Sequence, residues 1–461
     1  MPTGGPSRHR STTLDTRGAA SATVYGSPML APYLRLPNAV KLLALGILIN
    51  RAGTMVIPFL TMYLSQRLEL DDSVATLPVG AYGLGAILAA LAGGHLADTV
   101  GRRPVMLFAL FGGAAVLLML FTLTSIWAIV PCVFIFALVA EMYRPAGSAM
   151  IADLVPPAER PYAYTLTYIA INLGFAIGPA VAGLLVKWSY GLLFVIDAGT
   201  TSAYGLLIVL FIRETLPRRR PVPHSAAAAS GDAPNAALDT AQPEPAGAQH
   251  SAPSDDERVP LVRALCTMAQ DRAFMVFSLA TLAMAFVYHQ AMSTFPLFLA
   301  RLGIPAWEYG PLIALNGMLI VIFQVPLSTW LTRYHRGRVV ALGAAVTAVG
   351  FGLNGVLHTV PMFGAAIAVW TLGEMMQTVF MLAIVADLAP PALRARYMGV
   401  ISICHGLGMA VGAPLGGAVL ERFGGGALWS GCAAFGAAAA LLYFVVSREA
   451  RVRSAAHEAS R

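Results

Sequence analysis

Long apolar stretches separated by short polar turns run along most of the chain, and each has the length of a membrane-crossing helix. Such a helix needs about 20 mostly apolar residues. Six stretches come first, at 39–64, 76–97, 104–123, 126–153, 163–186 and 191–212. Six more follow at 273–299, 309–331, 338–357, 361–387, 397–420 and 427–447. The pattern predicts an all-α membrane protein with twelve transmembrane helices in two six-helix bundles, 39–213 and 273–447. Tails occupy 1–38 and 448–461, and a polar connection covers 214–272. Its centre, from Pro221 to Arg258, is rich in Ala, Pro, Ser, Gly, Asp and Glu. It cannot bury enough apolar surface to fold and is expected to be largely disordered.

The two sets of stretches are copies of one another. Ala152-Asp153-Leu154 with Pro156-Pro157-Ala158 returns 234 residues later as Ala386-Asp387-Leu388 with Pro390-Pro391-Ala392. Gly174, Gly178 and Gly183 return at the same offset as Gly408, Gly412 and Gly417. A repeat of this length inside apolar sequence predicts two pseudo-symmetric membrane halves, the organisation of a transporter rather than a solenoid.

Composition agrees. Of 461 residues, 57% are hydrophobic and 11% charged, against roughly a quarter charged in soluble domains. The net charge of +7 does not point to nucleic acid, because of where the arginines fall. Arg102, Arg103, Arg160, Arg213, Arg333, Arg336, Arg338, Arg394 and Arg396 occupy alternate loops, and few basic residues occupy the others. This is the positive-inside bias, which places both termini in the cytoplasm. Cys132, Cys266, Cys404 and Cys432 are far apart and show no metal or disulfide spacing, so no metal site is expected. The first ~35 residues are Ser/Thr/Gly-rich with little acid, which suits a cytoplasmic tail or, alternatively, an organellar transit peptide.

The second stretch ends in Gly94-His95-Leu96-Ala97-Asp98-Thr99-Val100-Gly101-Arg102-Arg103-Pro104. Physically this is a tight turn: Gly101 permits it, Pro104 opens the next helix and the arginines hold the loop inside. It also closely resembles the G-x-x-x-D-x-x-G-R-[RK] loop of the major facilitator superfamily, and with the repeat that resemblance covers nearly the whole chain. The resemblance implies a cytoplasmic gate built from Gly94, Asp98, Gly101, Arg102, Arg103 and Asp153. Asp98 would face the start of a second-half helix, and the arginines would pair with Asp153. The second-half loop from Thr332 to Arg338 keeps the charge but lacks the aspartate, so a single latch is expected.

The fifth stretch carries Gly174-x-x-x-Gly178-Pro179-x-x-x-Gly183. Small residues at this spacing let helices pack closely. The pattern also resembles the fifth-helix motif of drug/proton antiporters in that superfamily, with Ala182 in place of a usual glycine and the second-half proline displaced to Pro414. The fourth stretch departs from those antiporters: where they carry an arginine, this chain has Glu141 and Arg144.

Arg51, Glu141, Arg144 and Glu374 lie well inside predicted spans, each at about 2.5–3.5 kcal/mol insertion cost at a helix centre. Glu141 and Arg144 can pair at i,i+3. Arg51 and Glu374 lack partners in their own helices and are expected to find them across a cavity. The resemblance places these helices, the first, fourth and tenth, around a central cavity. A carboxylate there is pulled toward neutrality by desolvation and toward charge by a nearby arginine, so it can exchange a proton. Glu374 is the first candidate for that role and Glu141 the second; a static ion pair is the alternative for each. Tyr143, Tyr288, His289, Gln290 and Gln377 could touch a substrate or simply pack helices.

No phosphate-cradling Gly-Lys-Ser/Thr loop and no nucleophile motif occur, so neither an ATP-driven pump nor an enzyme is expected, and no cofactor. The reading is a monomeric, multi-pass transporter in a bacterial inner membrane, working by alternating access. Its partners would be a small-molecule substrate, protons and the lipid bilayer. Proton-coupled export of amphipathic or apolar compounds comes first. Proton-coupled uptake of a nutrient or peptide is the alternative, and a non-transporting sensor with the same fold a third.

Overall fold

The computed structural model describes residues 31–216 and 260–458. The N-terminal tail to residue 30, residues 217–259 of the polar connection and the last three residues lie outside the described residues, and with them the expected disorder of the connection. Among the described residues, eleven helical stretches are long and apolar enough to cross a membrane. The last, Arg394–Ser447, is long enough for two crossings. It divides at Gly424, whose φ of 78° and ψ of 177° interrupt the helix. The eleventh and twelfth helices therefore meet at one glycine, and the count is the expected twelve.

The first six helices are Asn38–Gly53 continued by Val56–Arg67, Asp72–Ala75 continued by Leu77–Thr99, Arg102–Thr122, Ile126–Ala140 continued by Tyr143–Leu154, Arg160–Val186, and Gly191–Phe211. The seventh to tenth are Arg272–Ser293 continued by Phe295–Arg301, Ala306–Leu331, Arg336–Leu353 and Val360–Leu388. The polar connection ends in a short helix, Leu261–Gln270, and the twelfth helix continues to Glu458.

Four of these helices run in two segments, and in three of them, the first, fourth and seventh, proline accounts for the place. Proline lacks an N–H and leaves the carbonyl four residues earlier without its helical partner. Pro58 frees Thr54, Pro145 frees Glu141 and Pro296 frees Met292, and the helices break at 54–55, 141–142 and 294. Two of these breaks adjoin the ionisable residues Arg51 and Glu141.

The bundles meet mainly at the end away from the Asp98 loop. There Phe59 of the first helix sits edge-on to Tyr309 of the eighth, with centroids 5.1 Å apart. Gly183 lies so close to the eighth helix that a Cβ would stand 2.7 Å from the Trp307 carbonyl oxygen. Gly80 of the second helix likewise approaches the eleventh, its Cβ position 2.7 Å from the Ala410 oxygen that Pro414 leaves free. Gly83 packs beside it, 2.7 Å from the Ala410 nitrogen. One stripe of the second helix thus fits the eleventh at this end. Further along the same stripe, Gly94 has nothing within 4 Å of a Cβ, and Asp98 is 70% exposed. The molecule is closed at one end and open at the end that carries the Asp98 loop.

Candidate functional site

The breaks in the first and fourth helices bring Arg51, Glu141, Arg144 and Tyr143 together. Arg144 Nη1 donates to Glu141 Oε2 at 3.0 Å, the expected i,i+3 pair. Tyr82 of the second helix donates its hydroxyl to Glu141 Oε1 at 2.6 Å. Both carboxylate oxygens are thereby engaged, and the Glu141 side chain is only 10% exposed. Arg144 is 61% exposed.

Arg51 does not reach across to the second bundle, contrary to the expectation. Its guanidinium donates to the Tyr143 hydroxyl and stands 5.6 Å from that ring's centroid. The reason is local: the first and fourth helices lie in one bundle, and the break beyond Gly53 leaves Arg51 facing the fourth. Glu374 also keeps to its own bundle. It accepts one bond from Asn316 Nδ2, at 2.9 Å, and has no cationic partner among the described residues. The two walls therefore differ: one carries two arginines against one satisfied carboxylate, the other a single carboxylate with one neutral donor.

The polar residues named from sequence divide into two groups. Gln290 and Gln377 are buried, at 4% and 2% exposure, and hold helices together. Gln290 Nε2 donates to the Gly412 carbonyl at 2.8 Å, and Gln377 Nε2 donates to the Tyr288 hydroxyl at 2.7 Å. Tyr288 and His289 are half-buried, and His289 Nε2 lies 3.1 Å from the His405 carbonyl. A surface cavity of about 320 Å³ lies at the closed end beside Gln66, Arg67, Lys187 and Trp307, on helix ends away from these charges.

At the open end, Arg102 joins two acids. Its Nη2 lies 3.2 Å from Asp98 Oδ1, and its Nε lies 3.1 Å from Asp153 Oδ2, an ion pair outside hydrogen-bond angles. Arg103 instead donates to the Val209 carbonyl at 3.0 Å. Asp98 makes no ion pair with the second half among the described residues. Gly101, at φ 125°, turns the chain so that Glu214 can cap the third helix. Glu214 accepts from the N–H groups of Arg102 and Arg103 at 3.1 and 2.9 Å, and from Thr215 and Leu216 at 2.8 Å each. Partial burial raises its carboxyl pKa, but these backbone donors outweigh that and hold it below the usual carboxylate range. Asp153 meanwhile accepts from the Thr215 hydroxyl at 2.9 Å.

The second half retains part of this arrangement. Arg336 Nη1 lies 3.0 Å from Asp387 Oδ2, and both residues stand 234 positions after Arg102 and Asp153. The missing aspartate of that loop did not remove the arginine–aspartate pair.

The fifth-helix glycines serve two contacts. A Cβ on Gly178 would lie 3.0 Å from the carbonyl oxygens of Arg51 and Ala52, and one on Gly174 would lie 2.6 Å from the Arg51 Cβ. Gly183 meets the opposite bundle, as does the Pro179 carbonyl, which lies against Gly310. The echo repeats the logic: Gly408 and Gly412 pack on Ala285 and Phe286 of the seventh helix, and Gly417 on Thr76 and Asp72 of the second.

Sequence reading missed Asp197, Tyr82 and the Asp72–Arg301 pair. Asp197 is 5% exposed and is the lone acid in an apolar helix, a signal that was available. Arg301 Nε lies 2.6 Å from Asp72 Oδ2 across the bundle seam, while Glu421 accepts from Ser73 N–H at 2.9 Å. Nothing in the local sequence links partners so far apart.

Comparison with known proteins places the chain among transporters. The family model for the Major Facilitator Superfamily matches residues 43–338 and 308–461. An uncharacterized MFS-type transporter of Bacillus subtilis, YqjV, is 26% identical over 387 residues, covering 83% of this chain and 86% of that protein. A Na(+), Li(+), K(+)/H(+) antiporter of Planococcus maritimus is 24% identical over 399 residues, covering 82% and 88%. Among solved structures, a POT family transporter bound to a thioalcohol-conjugated peptide superposes with a TM-score of 0.70 at 14% identity, covering 90% of this chain and 97% of that one. That likeness concerns the fold.

Proposed function

The chain belongs to the Major Facilitator Superfamily, and from that premise we propose a secondary active transporter that exports small amphipathic or apolar compounds in exchange for protons. Two bundles closed at one end and open at the other suit alternating access about a midplane site. The observation that carries the coupling is Glu374. It is a midspan carboxylate with one hydrogen bond from Asn316 and no cation beside it among the described residues. Such a group is expensive in a membrane unless it works, and here it has room to take a proton. Glu141 is the second acid, with Arg144 and Tyr82 as partners it could exchange when protonated. Arg51 and Tyr143 form the facing wall, and Tyr288 and His289 the adaptable one.

Arg102, with Asp98 and Asp153, forms the gate latch of the open end. Gly94 and Gly101 give it room, and Arg103 fastens the loop to the sixth helix. Gly174, Gly178, Pro179 and Gly183 let the fifth helix slide between the first and the eighth. The arginine-rich end is the cytoplasmic one, both termini lie there, and the protein works as a monomer in a bacterial inner membrane. The antiporter from Planococcus maritimus supports exchange against protons over uptake.

Proton flux in everted vesicles under an imposed pH gradient tests this, with a panel of amphipathic compounds. A compound should release protons in wild type, and Glu374→Gln should abolish that response. Flux of the opposite sign would mean uptake. Flux that survives in Glu374→Gln and in Glu141→Gln removes both carboxylates from the coupling.

A further inference from the structure

The break in the first helix is held from the sixth. Its second segment, Val56–Arg67, starts with N–H groups that have no helical acceptor behind them. Asp197 Oδ2 accepts from two backbone donors there, Met55 N–H at 3.1 Å and Val56 N–H at 3.2 Å. Asp197 makes no ion pair among the described residues. A buried carboxylate at a helix N-terminus is instead stabilised by oriented N–H groups and the helix dipole.

Two neighbours on the sixth helix extend this seat. Thr201 Oγ1 accepts from Asn50 Nδ2 at 2.9 Å, and Thr200 lies against Gly53. On the opposite side, Gly174 and Gly178 press against Arg51 and Ala52. The turn that carries Arg51 is thus gripped between the fifth helix and the sixth.

The second half solves the same problem without charge. At its break, Gln290 Oε1 accepts from Thr294 Oγ1 at 2.8 Å, Ser293 donates to the His289 carbonyl at 2.8 Å, and Thr294 N–H still reaches Gln290 O at 3.2 Å. The carboxylate is used at the break that an arginine adjoins.

We propose that Asp197 is a positioning residue: it pins the break in the first helix and through it fixes the Arg51 guanidinium against Tyr143. The positioning role rests on the cavity reading above; the pin does not.

Hydrogen exchange on the full-length protein in nanodiscs tests the pin without any transport assay. Asp197→Ala should speed exchange of the Met55 and Val56 amides by about fivefold or more, since each loses its buried acceptor. Asp197→Asn, which keeps the shape and an acceptor oxygen, should fall between. Unchanged exchange in Asp197→Ala, or in Asp197→Val if the alanine variant does not fold, overturns the pin. For positioning, export kinetics of Asp197→Asn, Arg51→Lys and the double variant are compared. Each single change should raise KM, and the double variant should raise it no further than the worse single. Additive effects, or a loss of rate at unchanged KM, would assign Asp197 to scaffolding alone. If wild type moves no compound, the export proposal fails while the exchange result still stands.

Discussion

Removing the Asp72–Arg301 contact should open the closed end. Arg301 bridges the seam to Asp72 at 2.6 Å, while its Nη1 is steadied within its own bundle by the Leu420 carbonyl at 2.9 Å. The Asp72 side chain is 9% exposed and that of Arg301 41%. A hydrogen bond to a charged group contributes about 1.5–3 kcal/mol, and solvent screening of the half-exposed arginine lowers this to about 1–2 kcal/mol. If the contact exists only when this end is closed, Arg301→Met shifts the closed-to-open ratio by a factor of about 5–30. Trp127 and Val356, 87% and 68% exposed, mark this end in the two bundles. Spin labels at Trp127→Cys and Val356→Cys, in a Cys266→Ser background, report their separation. Arg301→Met should add a longer distance population. A distribution that stays unchanged refutes the idea that this contact biases the bundles, and leaves the packing of Gly80, Gly83, Gly183 and Gly310 as what closes the end.

Three further outcomes are expected. The lowered pKa of Glu214 means its stabilising contribution is complete above the unfolded carboxyl range and is lost as pH falls through the folded value. Thermal stability of wild type should thus drop between about pH 5 and pH 3 more steeply than that of Glu214→Gln, and parallel curves would deny the cap its role. Arg102→Ala should lower stability by more than 1 kcal/mol or so, because Arg102 is 12% exposed and serves two acids, whereas Arg336→Ala, at 56% exposure, should stay below that. Equal losses by thermal melting would contradict the burial comparison. Cys266 is exposed while Cys132, Cys404 and Cys432 are buried, so a membrane-impermeant maleimide should label everted vesicles and spare right-side-out ones. The reverse pattern would invert the topology.

Much of the architecture was legible because membrane helices and repeats announce themselves through length and periodicity. The Arg102–Asp153 pair was implied by the loop's resemblance to the superfamily motif, and the Arg336–Asp387 pair could have followed from it through the repeat offset. The breaks were written in Pro58, Pro145 and Pro296, yet a proline in a membrane helix is often accommodated without one, as Pro179 and Pro326 are here. Partners of Arg51 and Glu374 were not legible, since they depend on which side of a helix faces its own bundle. Asp197 shows the limit most clearly. Its partners are backbone N–H groups of Met55 and Val56, and no side-chain pattern marks a backbone group that a break has exposed.

The stripe on the second helix has a consequence for anyone who engineers this protein. Gly80 and Gly83 are filled against the eleventh helix, and Gly94, on the same face, touches nothing. A screen that rewards thermal stability of the present state would accept a large side chain at Gly94 and reject one at Gly80. Yet if the bundles rock, the vacant half of the stripe is a socket kept for the alternate state. Sturdier variants selected at such a position would be jammed ones, so the tolerance of a site in one resting form is no guide to its freedom to vary.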